Sequence, residues 1–254
     1  MKIVVSVKQV PARDSVLRPN GPWVDESDLT YEMNEPDAYA LEEALQLKEK
    51  IGGEVVVLTA GPQRAQSTIR EALAKGADRA IHIELSNTGV VDAFGTAALL
   101  ATAVKPERPD LILTGLQSDD MGYGQTGVIM AELLGYSHAT IVMDVEPQAG
   151  AVRIKRELED GWFQNITLPL PAVLTIQSGI KKLRYATLMG IKKSKTKEVK
   201  TISAADITAQ TNRSIAAESI YVPQRSKEST ILSGDTRQAV QQLVEKLRFE
   251  ARVL

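Results

Sequence analysis

The stretch between residues 115 and 127 carries the residue types best suited to binding a phosphate. It reads GLQSDDMGYGQTG. Its glycines allow a ligand to approach the backbone closely, and Ser118 and Thr126 add hydroxyl groups. A helix is predicted to begin at Gln125-Thr126, and the free N–H groups at the start of a helix attract anions. This glycine-rich stretch therefore indicates a nucleotide or anion site, with an ordinary chain connection as the alternative.

The same stretch contains a displaced dinucleotide pattern. Gly122, Gly124 and Gly127 match GxGxxG, but seven residues separate Gly122 from the preceding predicted strand, which is the fourth one and not the first. In a nicotinamide-binding fold the first glycine follows the first strand directly. A nicotinamide-dependent dehydrogenase is therefore the weakest of the possible functions. The sequence contains no GxxxxGK[ST] motif, so a Walker-type NTPase is not indicated.

Few residues offer nucleophilic, acid–base or metal chemistry. The chain has no cysteine and two histidines, which argues against disulfides, thiolate chemistry and ordinary zinc sites. Asp119 and Asp120 are adjacent, so their side chains are not expected to converge as a catalytic pair. We therefore expect neither a catalytic residue nor a metal site.

A second candidate segment is Asn34-Glu35-Pro36-Asp37, which is typical of a helix start. Asn34 is suited to be the cap, and Pro36 falls in the first turn, where its missing N–H costs nothing. A plain cap is the simpler interpretation. A cap at the edge of a binding crevice could also face a ribose or an adenine.

Strands and helices must position these residues, and the sequence alternates between the two. Short β-branched runs predict strands that are buried on both faces, at residues 2–7, 54–59, 79–84 and 110–114. Between and after them, 3.6-residue periodicity predicts helices at residues 37–51, 63–75, 91–105 and 125–134. This order predicts an α/β fold with a doubly wound, mostly parallel, Rossmann-like sheet of the adenine-nucleotide-binding type. Antiparallel or edge strands are predicted to extend the sheet at residues 140–146, 151–158 and 172–177.

Ligands bind beyond the carboxyl ends of the strands in such a sheet. Three segments of this chain are predicted to lie there: residues 8–11 (KQVP), residues 59–62 (TAGP) and the glycine-rich stretch.

Beyond residue 181 the sequence shows no core-like strand. We expect an extended arm over residues 201–235 and a capped helix over 235–250. Long structureless segments are uncommon in compact monomers, so the arm is expected to pack on a partner. The predicted domains are a nucleotide-binding α/β domain, 1–180, and a docking loop with a C-terminal arm, 181–254.

Charge is concentrated in one segment of a nearly neutral chain. The whole chain has 30 Lys+Arg and 32 Asp+Glu, whereas residues 181–200 hold eight Lys or Arg and one Glu, a net charge of +7. Tyr185 is the only aromatic residue there and the rest of the chain is acidic, so nucleic acid is not the expected partner. No apolar run is long enough to span a membrane, and residues 1–8 are too short for a signal peptide. A soluble protein of the cytoplasm or an organelle matrix is expected.

Several colinear motifs resemble the β subunit of electron transfer flavoproteins over nearly the whole chain. They are VKQV (7–10), MNEPDAYALEEAL (33–45), LTAGP (58–62), IREALAKGADRAIHIE (69–84), the glycine-rich stretch, VRIKRELEDG (152–161), LPAVLTIQ (170–177) and RYATLMGIKK (184–193). The resemblance implies an electron carrier, not an enzyme, that pairs with an α subunit holding most of the FAD. It also implies a structural AMP in this chain. Flavin-containing dehydrogenases would donate electrons, and an acceptor such as a quinone oxidoreductase would receive them.

The resemblance also implies roles for individual residues. The AMP contacts of the family fall on Ser6, Asn34, Glu35, Pro36, Asp37, Ala60, Gly115, Gln117, Ser118, Asp119, Asp120, Gly122, Tyr123, Gly124, Gln125 and Thr126. The partner-docking loop, with its protruding leucine, falls on Arg184, Tyr185, Leu188, Met189, Lys192 and Lys193.

Two positions depart from the family pattern, and two alternative functions stay open. Asp160-Gly161, followed by Trp162-Phe163, replaces a Gly-Gly pair in a hairpin, and Arg13 or a neighbour replaces a tyrosine that some members place near the flavin. One alternative is a universal-stress-like α/β protein that binds AMP or ATP and carries no electrons. The other is an electron-bifurcating form that holds a second FAD in place of AMP.

Overall fold

The structure is a computed structural model that describes residues 1–85, 92–208, 215–224 and 229–254. The chain divides into two compact units, Met1–Ile220 and Tyr221–Leu254. This division differs from the boundary predicted at residue 180. The reason is that residues after 181 form a helix and a strand that join the first unit.

The elements are numbered in chain order. The strands are β1 (Lys2–Ser6), β2 (Gln9–Pro11), β3 (Pro19–Asn20), β4 (Trp23–Val24), β5 (Tyr31–Met33), β6 (Glu54–Gly61), β7 (Arg79–Glu84), β8 (Leu111–Gly115), β9 (Ser137–Gln148), β10 (Ala151–Glu157), β11 (Phe163–Pro169), β12 (Ala172–Ile176) and β13 (Val199–Ser203). The helices are α1 (Glu35–Ile51), α2 (Gln66–Lys75), α3 (Ala93–Val104), α4 (Thr126–Leu134), α5 (Leu188–Ser194) and α6 (Thr236–Glu245).

Within the described residues, one large sheet has the strand order β11-β10-β9-β12-β8-β1-β6-β7-β13. The strands from β9 to β13 in this order pair in parallel, and β10 and β11 form an antiparallel extension at one edge. The small antiparallel pairs β2-β5 and β3-β4 lie between β1 and α1 in the sequence. The predicted fold class, a mostly parallel α/β sheet with antiparallel additions, is confirmed.

The sheet is buried on both faces because its central strands are continuous apolar runs. Val5 and Val57 face a core that also includes residues of α1 and α2, whereas Val4 and Val56 face a second core with residues of α3 and α4. Adjacent residues of one strand thus fill opposite layers, as the two-residue period of a strand requires.

Two details differ from the sequence predictions. β12 was predicted as an added strand, but it lies between β8 and β9, pairs in parallel with both, and is buried throughout. β13 is a parallel edge strand paired with β7 in a region predicted to have no core-like strand. Parts of the predicted arm over 201–235 and the predicted start of the 91–105 helix lie outside the described residues.

Helix α5 packs closely on α2. A Cβ atom on Gly190 would collide with the carbonyl oxygen of Ala74, so the two helices approach to a distance that only glycine permits. Arg70 of α2 donates to the carbonyl oxygens of Ser194, at 2.6 Å, and of Lys197, at 3.1 Å. Lys197 in turn donates to carbonyl oxygens near the end of α2. These contacts attach the segment after residue 187 to the first unit.

The second unit contains one amphipathic helix. α6 begins with a capping box, in which Asp235 accepts from the N–H of Gln238 and the side chain of Gln238 accepts from the N–H of Asp235. Val240, Leu243 and Val244 are exposed on α6. The predicted helix over 235–250 is found here, with a short π-helical turn at Lys246–Glu250 as its last part.

The close approach of α5 to α2 leads to a stability prediction. Gly190→Val should lower stability by roughly 1–3 kcal/mol, because the added side chain has no space against the Ala74 carbonyl. Lys192→Ala, an exposed change on the same helix, should stay within about 0.5 kcal/mol. Urea unfolding together with hydrogen exchange of the α5 amides measures both. Equal unfolding midpoints and equal α5 protection in Gly190→Val and Lys192→Ala would contradict this packing.

Candidate functional site

A crevice of about 240 Å³ opens beyond the carboxyl ends of β1, β6 and β8. Most residues that the sequence assigned to a nucleotide site line it: Ser6, Asn34, Asp37, Ala60, Gly115, Gln117, Ser118, Asp120, Tyr123, Gly124, Gln125 and Thr126. Glu35, Pro36, Asp119 and Gly122 are not part of the lining. The crevice therefore lies where a doubly wound sheet is expected to bind ligands.

The buried carboxylate of Asp37 joins three elements at the floor of the crevice. Its Oδ2 accepts from the N–H of Lys8, just after β1, and its Oδ1 accepts from the N–H of Gly115, the last residue of β8, both at 2.8 Å. Burial raises the pKa of Asp37 to about 6, although these two N–H groups act to lower it. Gly115 must be glycine here, since a Cβ would lie 2.6 Å from Pro36 and from Asp37. Pro36 thus packs under the crevice and does not line it.

Asn34 holds the glycine-rich stretch in place. Its Nδ2 donates to the carbonyl oxygen of Gln117, at 3.0 Å, and its Oδ1 accepts from the N–H of Asp119, at 2.9 Å. Its side chain makes no capping hydrogen bond to α1. The simpler interpretation of Asn34, as a plain helix cap, is therefore wrong. The amide instead connects the start of α1 to a loop more than 80 residues later in the sequence.

The two adjacent aspartates of the stretch point to different partners. Asp120 forms an ion pair with Lys8, whose Nζ lies 2.6 Å from Oδ1. Asp119 accepts from Arg13 and from the N–H of Glu35, and Arg13 also pairs with Glu35. This pairing raises the pKa of Arg13, chiefly through the hydrogen bond to Glu35. The expectation that Asp119 and Asp120 do not form a catalytic pair agrees with this geometry.

The start of α4 faces the crevice with its N–H groups available. Gln125 and Thr126 line the crevice, and among the described residues no side chain forms a capping hydrogen bond at this end of the helix. Gly127 in the first turn packs so closely on Thr114 and Thr175 that a Cβ would lie 2.7 Å from each. The glycine therefore lets α4 sit directly on the strand ends, which places its positive end at the crevice.

One wall of the crevice comes from residues that the sequence analysis did not identify. Trp23, Glu26 and Tyr31, from the segment between β2 and α1, line it together with Arg64. The guanidinium of Arg64 lies 4.0 Å from the centre of the Tyr31 ring and pairs with Glu26 at 3.1 Å. Burial raises the pKa of Tyr31. These residues follow no periodic pattern in the sequence. The aromatic side chains of Trp23 and Tyr31 were the one sequence feature that could have indicated this wall.

Two buried polar atoms of the lining have no hydrogen-bond partner within the part of the chain that is described. They are Oε1 of Gln9 and the hydroxyl of Tyr31. A buried polar atom without a partner is costly unless a ligand or water satisfies it. Both atoms are therefore available to a polar ligand in the crevice.

The residues assigned to docking lie outside the crevice. They comprise a set of exposed residues and the ion-paired Arg184. Tyr185, Leu188 and Met189 have exposures of 92%, 87% and 63%, so Leu188 is not a core leucine. Lys192 and Lys193 on α5 are exposed as well. Arg184 differs from the rest, because its guanidinium is already bonded to Glu42 and Glu49 of α1.

Neither a membrane-spanning helix nor a metal-binding cluster occurs in residues 1–85, 92–208, 215–224 and 229–254. No helix there is long and apolar enough to cross a membrane. In the same ranges, no group of three His, Cys, Asp or Glu residues is arranged to hold a metal ion.

A family model and several similar proteins all indicate the same kind of protein. A family model described as "Electron transfer flavoprotein domain" matches residues 23–207. The chain is 38% identical to the electron transfer flavoprotein subunit beta of Methylophilus methylotrophus, covering 96% of this chain and 97% of that protein. It is 34% identical to the mitochondrial subunit beta of Oryza sativa subsp. japonica, over 100% of both chains. Its identity to the subunit beta of Mus musculus is 32%, over 100% of this chain and 99% of the mouse protein.

The geometry of Asp37 leads to a prediction about stability and pH. Asp37→Ala should lower stability by at least about 2 kcal/mol, because the buried N–H of Gly115 and the partly buried N–H of Lys8 lose their acceptor. The pKa of Asp37 in the folded chain, about 6, exceeds the ordinary value of 3.8. The folded state therefore binds the proton more tightly, and the stability due to this protonation is lost as the pH rises from about 4 to above 6. The margin of the wild type over Asp37→Ala should shrink over that window.

Urea unfolding of both proteins at pH 5 and pH 7.5 measures this margin. Asp28→Ala, which removes an exposed carboxylate, is the control and should change stability by less than about 0.5 kcal/mol at either pH. A margin that grows with pH would mean that the two N–H bonds outweigh burial and that the pKa of Asp37 is lowered.

Proposed function

The chain belongs to the electron transfer flavoprotein domain family, as a β subunit, and we propose that its crevice binds AMP while a partner α subunit holds the FAD. The bound flavin would supply the redox chemistry, by accepting and passing on electrons. This chain would act as an electron-carrier subunit with no catalytic residue of its own. The observation that carries the nucleotide assignment is the uncapped start of α4 at the edge of the crevice.

The residues present suit an adenine mononucleotide. The free N–H groups at the start of α4 would attract the phosphate. Leu85 and Leu100 add apolar surface to the lining, against which a purine could pack. The unpartnered Oε1 of Gln9 could accept a hydrogen bond from the ligand. AMP would then stabilise the folded chain, since it binds that state alone.

The two alternative functions differ from this proposal in the nucleotide that the chain binds or in whether it has a flavin-binding partner. A second FAD in place of AMP would identify the electron-bifurcating form. A universal-stress-like AMP or ATP binder would carry a nucleotide but would have no flavin partner. The exposed apolar residues of the second unit favour a subunit of a complex over such a single-chain sensor.

The α subunit is the proposed partner of the C-terminal residues. Val240, Leu243 and Val244 of α6 and Phe249 after it are exposed within the unit Tyr221–Leu254. Apolar residues on one side of a helix require a covering surface. We assign that surface to the α subunit. The name of the rice relative includes "mitochondrial", and we propose the cytoplasm, or an organelle matrix in a eukaryotic source, for this chain.

Residues 185–193, most of which are exposed and which we call the docking segment, are proposed to bind the electron donors and acceptors. These would be flavin-containing dehydrogenases and a downstream acceptor such as a quinone oxidoreductase. Leu188 and its apolar neighbours would enter a pocket of the partner, and Lys192 and Lys193 would face acidic residues around it. In such transient sites an apolar anchor supplies affinity and the surrounding charge supplies association rate.

Thr126, the first residue of α4, offers a test of the nucleotide site. Denatured wild-type protein should release about one adenine nucleotide per chain. Thr126→Asp should weaken AMP binding at least tenfold, about 1.4 kcal/mol, because its charge suits a helix start but repels a phosphate. Thr126→Asn, its neutral isostere, should bind nearly as well as the wild type. Chromatography of the released nucleotide and calorimetric titration of the stripped protein with AMP measure these effects.

Three outcomes would contradict an AMP-binding β subunit. Two FAD per αβ pair would identify the bifurcating form. Release of no adenine nucleotide would exclude the site. Nucleotide release without flavin, from protein coexpressed with its α subunit, would favour the sensor.

Leu188 offers a separate test of docking. Leu188→Ala should reduce electron acceptance from a flavin dehydrogenase at least tenfold, because an anchor worth about 1.4 kcal/mol or more is lost. FAD content, AMP content and Tm should stay unchanged, since truncating an exposed side chain leaves no cavity. Leu133→Ala, at an exposed leucine near the end of α4, is the control and should keep full electron acceptance.

The charged residues should behave differently from Leu188 in the same assay. Neutralising Lys192 and Lys193 should mainly lower the association rate and flatten its dependence on salt. Unchanged electron acceptance in Leu188→Ala would refute the assignment of the docking segment.

A further inference from the structure

The exposed tip of the docking segment is held at both ends. Tyr185 to Thr187 lie outside any helix or strand, and α5 begins at Leu188. On the far side, α5 is attached to α2 by the close approach at Gly190 and by Arg70. On the near side, the chain is attached at Arg184, directly before the exposed residues.

Arg184 donates five hydrogen bonds to two glutamates of α1. Its Nε and Nη2 donate to the two carboxylate oxygens of Glu42, at 2.8 and 3.0 Å. Its Nη1 and Nη2 donate to the two oxygens of Glu49, at 2.6 and 3.2 Å. Its backbone N–H also donates to Glu42, at 3.2 Å. Side chain and backbone are therefore fixed together, as a paired fork geometry allows for arginine but not for lysine.

A second contact supports the same stretch of chain. Nζ of Lys181 lies 3.6 Å from Glu43 of α1 and 3.5 Å from Asp144 of β9. The side chain of Glu42 is 5% exposed and that of Glu43 is 2% exposed, so these ion pairs lie at the edge of the core. Burial raises the pKa of Glu43 to about 7.

The charge of Arg184 is not available to a partner. Two carboxylates surround it, which raises its pKa and leaves the three groups with a net charge of −1. Its place in the basic stretch therefore does not make it an electrostatic docking residue like Lys192 or Lys193. The same contacts would, however, fix the position from which Tyr185 and Leu188 project.

We propose that Arg184, clamped by Glu42 and Glu49, is a positioning residue for docking, which presents Leu188 in one preformed geometry. This inference rests on the proposed docking function. A fixed segment loses less conformational freedom when it binds, so affinity is gained without any direct contact to the partner. Loss of the clamp should weaken docking through the mobility of the segment, with no change in long-range attraction.

Arg79 provides a matched control elsewhere in the sheet. It also bridges two glutamates, Glu54 and Glu107, and its side chain is 21% exposed, against 28% for Arg184. Arg79→Gln removes the same kind of ion pair from β7. A general loss of stability should affect both variants, whereas loss of positioning should affect Arg184→Gln alone.

The test uses the αβ heterodimer with its FAD, titrated with a purified flavin dehydrogenase that reduces the wild-type complex. Arg184→Gln should raise the Kd about tenfold, with the dependence of the Kd on salt unchanged, and should speed hydrogen exchange at residues 185–189. Arg79→Gln should leave the Kd and that exchange unchanged. Glu49→Gln, at a carboxylate that is 60% exposed, should give a smaller change of the same kind in a fully folded protein.

A double-mutant cycle with Leu188→Ala tests whether Arg184 acts through that leucine. In the Leu188→Ala background, Arg184→Gln should weaken binding less than twofold. The clamp is overturned if the effects of the two changes multiply, if Arg184→Gln alters the salt dependence as loss of Lys192 does, or if Arg79→Gln weakens docking equally. An unchanged Kd in Leu188→Ala would overturn the docking function, and with it the clamp. A weaker Kd in Leu188→Ala but not in Arg184→Gln would overturn the clamp alone.

Discussion

The crevice depends on one buried carboxylate. Asp37 accepts the N–H groups of Lys8 and Gly115, and so it fixes the ends of two neighbouring parallel strands relative to the start of α1. Strands β1 and β8 do not pair with each other at these positions, and without Asp37 the buried N–H of Gly115 and the partly buried N–H of Lys8 would lack an acceptor. Because Gly115 has no side chain, α1 can approach closely enough for both bonds to form. The glycine-rich stretch begins at this junction, since Gly115 is its first residue, and Asn34 then holds the residues that follow.

Helix α1 supports both of the surfaces to which we assign a function. Its first turn carries Asp37 and is preceded by Asn34, which together hold the crevice. Its later turns carry Glu42 and Glu49, which hold Arg184 at the base of the docking segment. The helix is itself fixed by its packing on β1, β8 and β12 in the core. The crevice and the docking segment are therefore both held by the same helix, although the residues that form them are far apart in the sequence.

The sequence was sufficient to predict the fold class and the location of the crevice, because both follow from local patterns. Buried β-branched runs mark the central strands, and the topology of a parallel sheet places their carboxyl ends together. The sequence could not reveal the partners of Asn34 or Arg184, since each bonds to residues more than 80 positions away. β13 was also missed, because all five of its residues are partly or fully exposed and its place in the sheet depends on pairing with β7. The contact-based division at residue 220 differs from the boundary predicted at residue 180, because β13 pairs with β7 of the first unit.

The role of α1 as a common support limits how this protein can change in evolution. A helix rises about 1.5 Å and turns about 100° per residue, so Asp37 and Glu49 are separated by a fixed distance of about 18 Å and a fixed angle. Insertion or deletion of one residue between Asp37 and Glu42 would rotate both Glu42 and Glu49 away from Arg184 while leaving Asp37 in place. The loop of residues 177–183 lies outside any helix or strand, so its length is not tied to a helical repeat, and Lys181 is its ion-paired residue described above. Changes in length should therefore accumulate in that loop, while the length of α1 stays constant among functional descendants of this chain.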